Sequence, residues 1–162
     1  MDNLFDFEDS VSTDEAKSVA FYSHTGDKQI NSILRSGIAD DDIKSYVQDL
    51  DNIISRFEVP EYVSLYRGSN LDFLYREFNI SNLEDLLGKS YIDKGYTSTS
   101  IILDNAFLNK DAVFEIKLPG GKGRGAFISS FSRHFDELEF LIKRNTMSVS
   151  YTHLTLPTTE RV

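Results

Sequence analysis

The chain has 162 residues, 40% of them apolar, which is enough for one domain with a sizeable core. It has no cysteine, which excludes disulfides, thiolate zinc sites and thiol nucleophiles and fits a reducing compartment. The formal charge is −9 and concentrated early, with 13 acids and 5 bases in residues 1–60 against 13 and 12 in residues 61–162, so a nucleic-acid partner is disfavoured.

Residues 1–13 read as a flexible acidic arm. They lack the basic start of a signal peptide, and no apolar run in the chain approaches the roughly 18 residues of a membrane helix. Thr13 is the expected cap of a first helix, with Asp14 and Glu15 in its first turn. Tyr22 to Asp27 reads as a turn, Lys28 to Arg35 as a second helix, and Gly37 as its stop. A third helix is expected over 41–56, where Ile43, Tyr46, Val47, Leu50, Ile53 and Ile54 recur at helical spacing behind an Asp40 or Asp41 cap.

After Pro60 the pattern changes to short strands. Tyr62 to Arg67, Tyr96 to Ser100, Ala112 to Leu118, Gly125 to Ile128 and Phe140 to Ile142 read as strands, with helical turns near 71–78, 83–87 and 104–107. Helices first and strands afterwards predict an α+β fold. Lys117, Lys122, Arg124 and Arg133 form a local basic cluster, read either as a face for a small anion or as plain solubilising charge. From Ser148 the chain resembles translated sequencing-adapter read-through, so 148–162 is expected to be a non-native tail, and the working domain spans 14–147. His24 and His134 lack partners at ligand spacing, and no metal is expected.

Two acids stand at the start of the last strand, in Phe135-Asp136-Glu137-Leu138-Glu139-Phe140. On an extended strand Glu137 and Glu139 share a face, with Cα atoms about 6.5–7 Å apart. Upstream lie Leu65-Tyr66-Arg67-Gly68 and Lys94-Gly95-Tyr96-Thr97-Ser98-Thr99-Ser100. Each piece is weak singly. Together, in this order, they resemble the Arg–Ser–Glu class of mono-ADP-ribosyltransferases with an E-x-E motif, which includes binary actin-modifying toxins, insecticidal relatives and phage or bacterial enzymes. The likeness runs from about Tyr22 to Arg144, including the helical lead-in Ile30-Asn31 and Leu34-Arg35.

The resemblance implies N-terminal helices on two small, roughly perpendicular, mainly antiparallel sheets with an NAD+ cleft between them. It implies NAD+ as substrate, an arginine of a target protein as acceptor, action in a host-cell cytoplasm, and a monomer with no membrane partner. Glu139 would stabilise positive charge at the ribose as nicotinamide leaves. Glu137 would orient and deprotonate the acceptor guanidinium, which a carboxylate suits by accepting paired hydrogen bonds. Arg67 would bind phosphate, Gly68 would let the backbone approach nicotinamide, and Ser98 would fix Glu139, with Thr99 and Ser100 supporting the strand. Phe107 and Lys110 stand where the family carries Phe and Arg near the nicotinamide and phosphate; Lys keeps the charge and loses the fork. Tyr22 would reach the adenosine or else pack among the helices, and Phe131 and Phe135 would contact the target protein or else be buried. An NAD+ glycohydrolase and a degenerate partner-binding domain are the alternatives.

Overall fold

The computed structural model describes residues 7–106, 109–132 and 138–150. The first half is helical: α1 (Thr13–Phe21), α2 (Asp27–Ser36) and α3 (Asp41–Arg56). Ser12, not Thr13, caps α1. Its hydroxyl accepts from the Glu15 N–H while the Glu15 carboxylate accepts from the Ser12 N–H, so the Ser-x-x-Glu spacing forms a capping box. The expected turn at Tyr22 to Asp27 is instead a π-helical segment, Tyr22–Gly26, which joins α1 to α2 without a break. Gly26 suits it, since a Cβ there would lie 2.4 Å from the Phe21 ring. Gly37 ends α2 in the left-handed region, and the Asp40 carboxylate caps α3 by accepting from the Asp42 N–H at 2.8 Å.

Of the arm expected to be flexible over 1–13, the structure describes residues 7–13. Residues 7–10 are helical, and Phe7 is 6% exposed, packed edge-on against Phe57. Its apolar ring anchors an otherwise acidic stretch.

The strands are β1 (Glu58–Val59), β2 (Val63–Ser69), β3 (Ser90–Asp93), β4 (Thr97–Ser100), β5 (Ala112–Leu118), β6 (Gly121–Lys122), β7 (Gly125–Phe127), β8 (Glu139–Ile142) and β9 (Thr146–Val149). Helix α4 (Leu71–Glu77), a 3-10 turn (Leu83–Leu86) and helix α5 (Leu103–Ala106) connect them. All pairings are antiparallel. The main sheet runs β5-β2-β4-β8-β7, and β1-β6 and β3-β9 are separate pairs. Among the described residues there are therefore three sheets rather than two. The 148–162 tail begins inside one of them: Ser148 and Val149 lie opposite Tyr91 and Ser90, and 151–162 lies outside the described residues.

The main sheet separates two apolar clusters. Under the helices lie Val19, Tyr22, Ile30, Leu50, Ile53, Tyr96, Ile128 and Leu141. Val59, Leu65, Leu118, Phe140 and Ile142 form the second cluster. Successive residues of β8 thus alternate between the two, as the pleat requires. Among the described residues three ion pairs tie elements together: Arg56 to Glu15 joins α3 to α1 within the helical layer, Arg35 to Asp93 joins α2 to β3, and Arg144 to Asp51 joins the β8–β9 turn to α3.

Burial of Glu15 opposes its ionisation, yet hydrogen bonds from Arg56 and Ser12 and the Arg56 charge outweigh it and hold the carboxyl below its ordinary range. A depressed folded-state pKa contributes stability that is present above the unfolded value and lost as pH falls through the folded one. The Tm gap between wild type and Glu15→Gln is therefore expected to be widest near neutral pH and to close on acidification. Thermal melts across pH measure it, and a pH-independent gap would contradict the assignment.

Candidate active site

The site forms where the main sheet parts. Strand β2 pairs with β5 at seven positions but with β4 at one, Tyr66 opposite Ser100. Beyond that pair a cleft of about 320 Å³ opens, lined by Tyr66, Arg67 and Gly68 of β2, Ser98, Thr99 and Ser100 of β4, Asn105, Ala106 and Lys110 of the α5 segment, and Glu139 of β8.

Ser98 connects the two walls. Nη1 of Arg67 donates to the Ser98 carbonyl at 2.7 Å, taking an acceptor that the missing ladder leaves open. The Ser98 hydroxyl donates to Oε1 of Glu139. In the β4–β8 register Ser98 faces Leu141 and Ser100 faces Glu139, so Ser98 is the diagonal neighbour of Glu139 on one face. Oε2 of Glu139 accepts from the Ser132 hydroxyl at 3.4 Å. Glu139 is only 6% exposed, so these hydroxyls supply part of what water no longer does.

The neighbours have their own tasks. Thr99 Oγ1 donates to the Phe140 carbonyl at 2.7 Å and reinforces the ladder. Ser100 Oγ accepts from the Ile102 N–H at 3.0 Å and from Asn105 Nδ2 at 3.4 Å, fixing the cleft rim. Gly68 serves a close approach within the chain: a Cβ would lie 2.1 Å from the Ala106 carbonyl oxygen and 2.5 Å from Lys110 Cγ. The reason expected for this glycine was room for nicotinamide; the contact seen is with the α5 segment.

Tyr22 does not line the cleft. It is 1% exposed, edge-on to Tyr96, with its hydroxyl accepting from Asn31 Nδ2 at 3.0 Å. Burial pushes its phenol well above the ordinary range, the Asn31 hydrogen bond works against this, and the Glu139 charge adds to it. The strand expected to carry both acids begins only at Glu139. Leu138 has φ 48, in the left-handed region that bulky residues rarely adopt, and its carbonyl accepts from the Ile101 N–H at 3.3 Å. Glu137, and with it the expected shared face with Glu139, lies outside the described residues. Phe131 is half-buried against the helix-side core. Phe107, Arg133, Phe135 and Glu137 lie outside the described residues.

Tyr66, Asn105 and Ser132 were not foreseen as site residues. Only Ser132 carried a signal, its place in the polar loop before the acids. Among the described residues no group of His, Asp and Glu converges as a metal site, and no helix is long and apolar enough to cross a membrane.

A mixed fold of antiparallel sheets under an N-terminal helical layer, with an Arg–Ser–Glu chain across one cleft, defines the class. The chain belongs to the ADP-ribosyltransferase exoenzyme family, whose family model matches residues 1–160. It is similar to the mono-ADP-ribosyltransferase C3 of Hathewaya limosa, at 24% identity over 156 residues, covering 84% of this chain and 62% of that relative. The chain thus spans less than two thirds of that protein's length. Among solved structures it resembles an ADP-ribosyltransferase from Clostridium botulinum in a triclinic crystal form, with TM-score 0.71, 26% identity, and coverage of 85% of this chain and 77% of that one. It shares its fold with a protein from S. aureus solved with NAD, with TM-score 0.72, 24% identity, and coverage of 85% and 78%.

Gly68→Ala is expected to displace the α5 segment and destabilise the protein by about 1–3 kcal/mol, because backbone cannot yield as a flexible side chain can. Denaturant unfolding reads the loss; a wild-type midpoint would show that the segment relaxes freely.

Proposed function

We propose that the protein is a mono-ADP-ribosyltransferase that cleaves NAD+ at the nicotinamide–ribose bond and transfers ADP-ribose to an arginine of a target protein. The observation that carries this reading is the link Arg67–Ser98–Glu139 across one cleft. The family match and the NAD carried by the S. aureus structure support NAD+ as the substrate.

In this reading nicotinamide departs with the electron pair of its bond to C1′, and positive charge spreads over the ribose ring. Glu139, held by the Ser98 and Ser132 hydroxyls, is preorganised to stabilise that charge without rearranging. Arg67 offers a planar cation to the diphosphate, and Lys110 adds a point charge on the same cleft. A guanidine nitrogen of the acceptor then bonds to C1′ and gives up a proton, for which Glu137 is the assigned base. Phe107 beside the nicotinamide and Phe135 as a target contact belong to the same proposal. Tyr22 enters only indirectly, through its contact with Asn31. The target is a protein whose modified arginine reaches the cleft, and the setting a host-cell cytoplasm.

Labelled NAD+ incubated with the protein and a cell lysate tests the reading. Label on protein with nicotinamide release is expected. Nicotinamide release alone identifies a glycohydrolase, and neither from folded protein refutes the proposal. Glu139→Gln is expected to lower nicotinamide release by about two orders of magnitude or more. Glu137→Gln is expected to retain NAD+ hydrolysis and to lose transfer to arginine, as the two readouts together report.

A further inference from the structure

Strand β4 reads Thr97-Ser98-Thr99-Ser100, and none of the four belongs to either apolar cluster. A strand with no apolar face does little to specify its own register. Slid by two residues along β8, threonine replaces threonine and serine replaces serine, with every side chain on its original face. Such a slide would carry the cleft rim with it by about 6.5–7 Å, since Ser100 holds Ile102 and Asn105 of the segment that leads into α5. On the β2 side one register pair, Tyr66 opposite Ser100, resists it. Much of the restraint therefore falls to groups outside the strand. Tyr96, the residue before β4, is buried, and its hydroxyl donates to Oδ1 of Asp51 at 2.7 Å, with the Val47 carbonyl at 3.1 Å. Arg144, two residues past β8, donates from Nη2 to Oδ2 of Asp51 at 2.8 Å and from Nε to the same oxygen at 3.0 Å. These two partners flank the end of the β4–β8 ladder where Thr97 faces Ile142, away from Glu139. One carboxylate on α3 thus joins the residue that enters β4 to the turn that leaves β8.

We infer that Asp51 is a positioning residue for nicotinamide cleavage: by holding Tyr96 and Arg144 together it pins β4 in the register that sets Ser98 against Glu139. This rests on the transferase reading. Ser98 faces two demands at once, its carbonyl accepting from Arg67 and its hydroxyl donating to Glu139, and both depend on where β4 stops along β8. The pin works because its two ends belong to different strands. A slide of β4 draws the Tyr96 hydroxyl off the carboxylate while Arg144 holds the carboxylate in place. Tyr96 engages Oδ1 and Arg144 chiefly Oδ2, so the two do not compete for one acceptor. Arg144 and Asp51 are 34% and 33% exposed, where an ion pair adds little to stability. Its value here is geometric, and the Tyr96 ring, fixed in the core beneath the helices, passes the restraint to the strand.

Steady-state nicotinamide release and amide hydrogen exchange together test the inference. Asp51→Ala is expected to lower kcat for nicotinamide release about tenfold. Asp51→Asn keeps an acceptor for the Tyr96 hydroxyl while losing the charge that holds Arg144, and is expected to lower kcat only about threefold. In a Ser98→Ala background Asp51→Ala is expected to add little, because both act through one hydrogen bond. Unchanged kcat in Asp51→Ala, or full additivity with Ser98→Ala, overturns the inference. Exchange measured without NAD+ separates a loosened strand from a weaker fold. In Asp51→Ala it is expected to quicken at β4 and β8 while the β2–β5 ladder keeps its rates. Equal acceleration in both ladders, or none at β4, overturns the inference. Tyr96→Phe is the independent arm if Asp51→Ala does not fold, since it keeps the ring and removes only the donor. The same local quickening and a kcat loss of about threefold are expected there, and unchanged exchange at β4 counts against the pin. If β4 loosens in these variants while the wild type releases no nicotinamide, the transferase reading fails and the pin on β4 stands.

Discussion

A carboxylate removed from water has to be held by donors, and the arrangement around Glu139 follows from that demand. The β4–β8 ladder brings the Ser98 hydroxyl to one oxygen, and the loop after β7 brings the Ser132 hydroxyl to the other. The carboxyl group is therefore held in one rotamer by the fold itself. In the transferase reading proposed above, preorganisation of this kind is what would stabilise a cationic transition state.

The helical layer is more than a lid on one face of the sheet. Tyr96 sits in its core with its hydroxyl donating to the Asp51 carboxylate at 2.7 Å, and Arg144 from beyond β8 reaches that same carboxylate. With Arg35 on Asp93, the helices hold both the strand that carries Ser98 and the turn that follows Glu139. Among the described residues no buried side-chain nitrogen or oxygen lacks a partner, so these contacts are satisfied as well as numerous.

Much of this was legible in the sequence. Helix α3 and strand β5 have the bounds their periodicity predicts, because each has one face that is clearly apolar. Arg67, Ser98 and Glu139 were placed together by resemblance, and the structure puts them around one cleft. Other features depend on distant partners and were not legible. Strand β3 is exposed at Ser90 and Ile92 and exists because β9 pairs with it. Tyr22 reads as a free aromatic at a turn until the π-helical segment rotates it inward. Leu138 carries no residue-type signal for positive φ, since glycine and asparagine are the residues that advertise it.

The left-handed Leu138 has a mechanical corollary. The β8 ladder starts at Glu139, directly after a backbone conformation that glycine or asparagine adopts more readily than leucine does. Such a residue costs about 1–3 kcal/mol. The rungs from Glu139 to Ile142 offset that cost, so the strand that seats the cleft carboxyl is bent into place by its neighbours and not by its own preference.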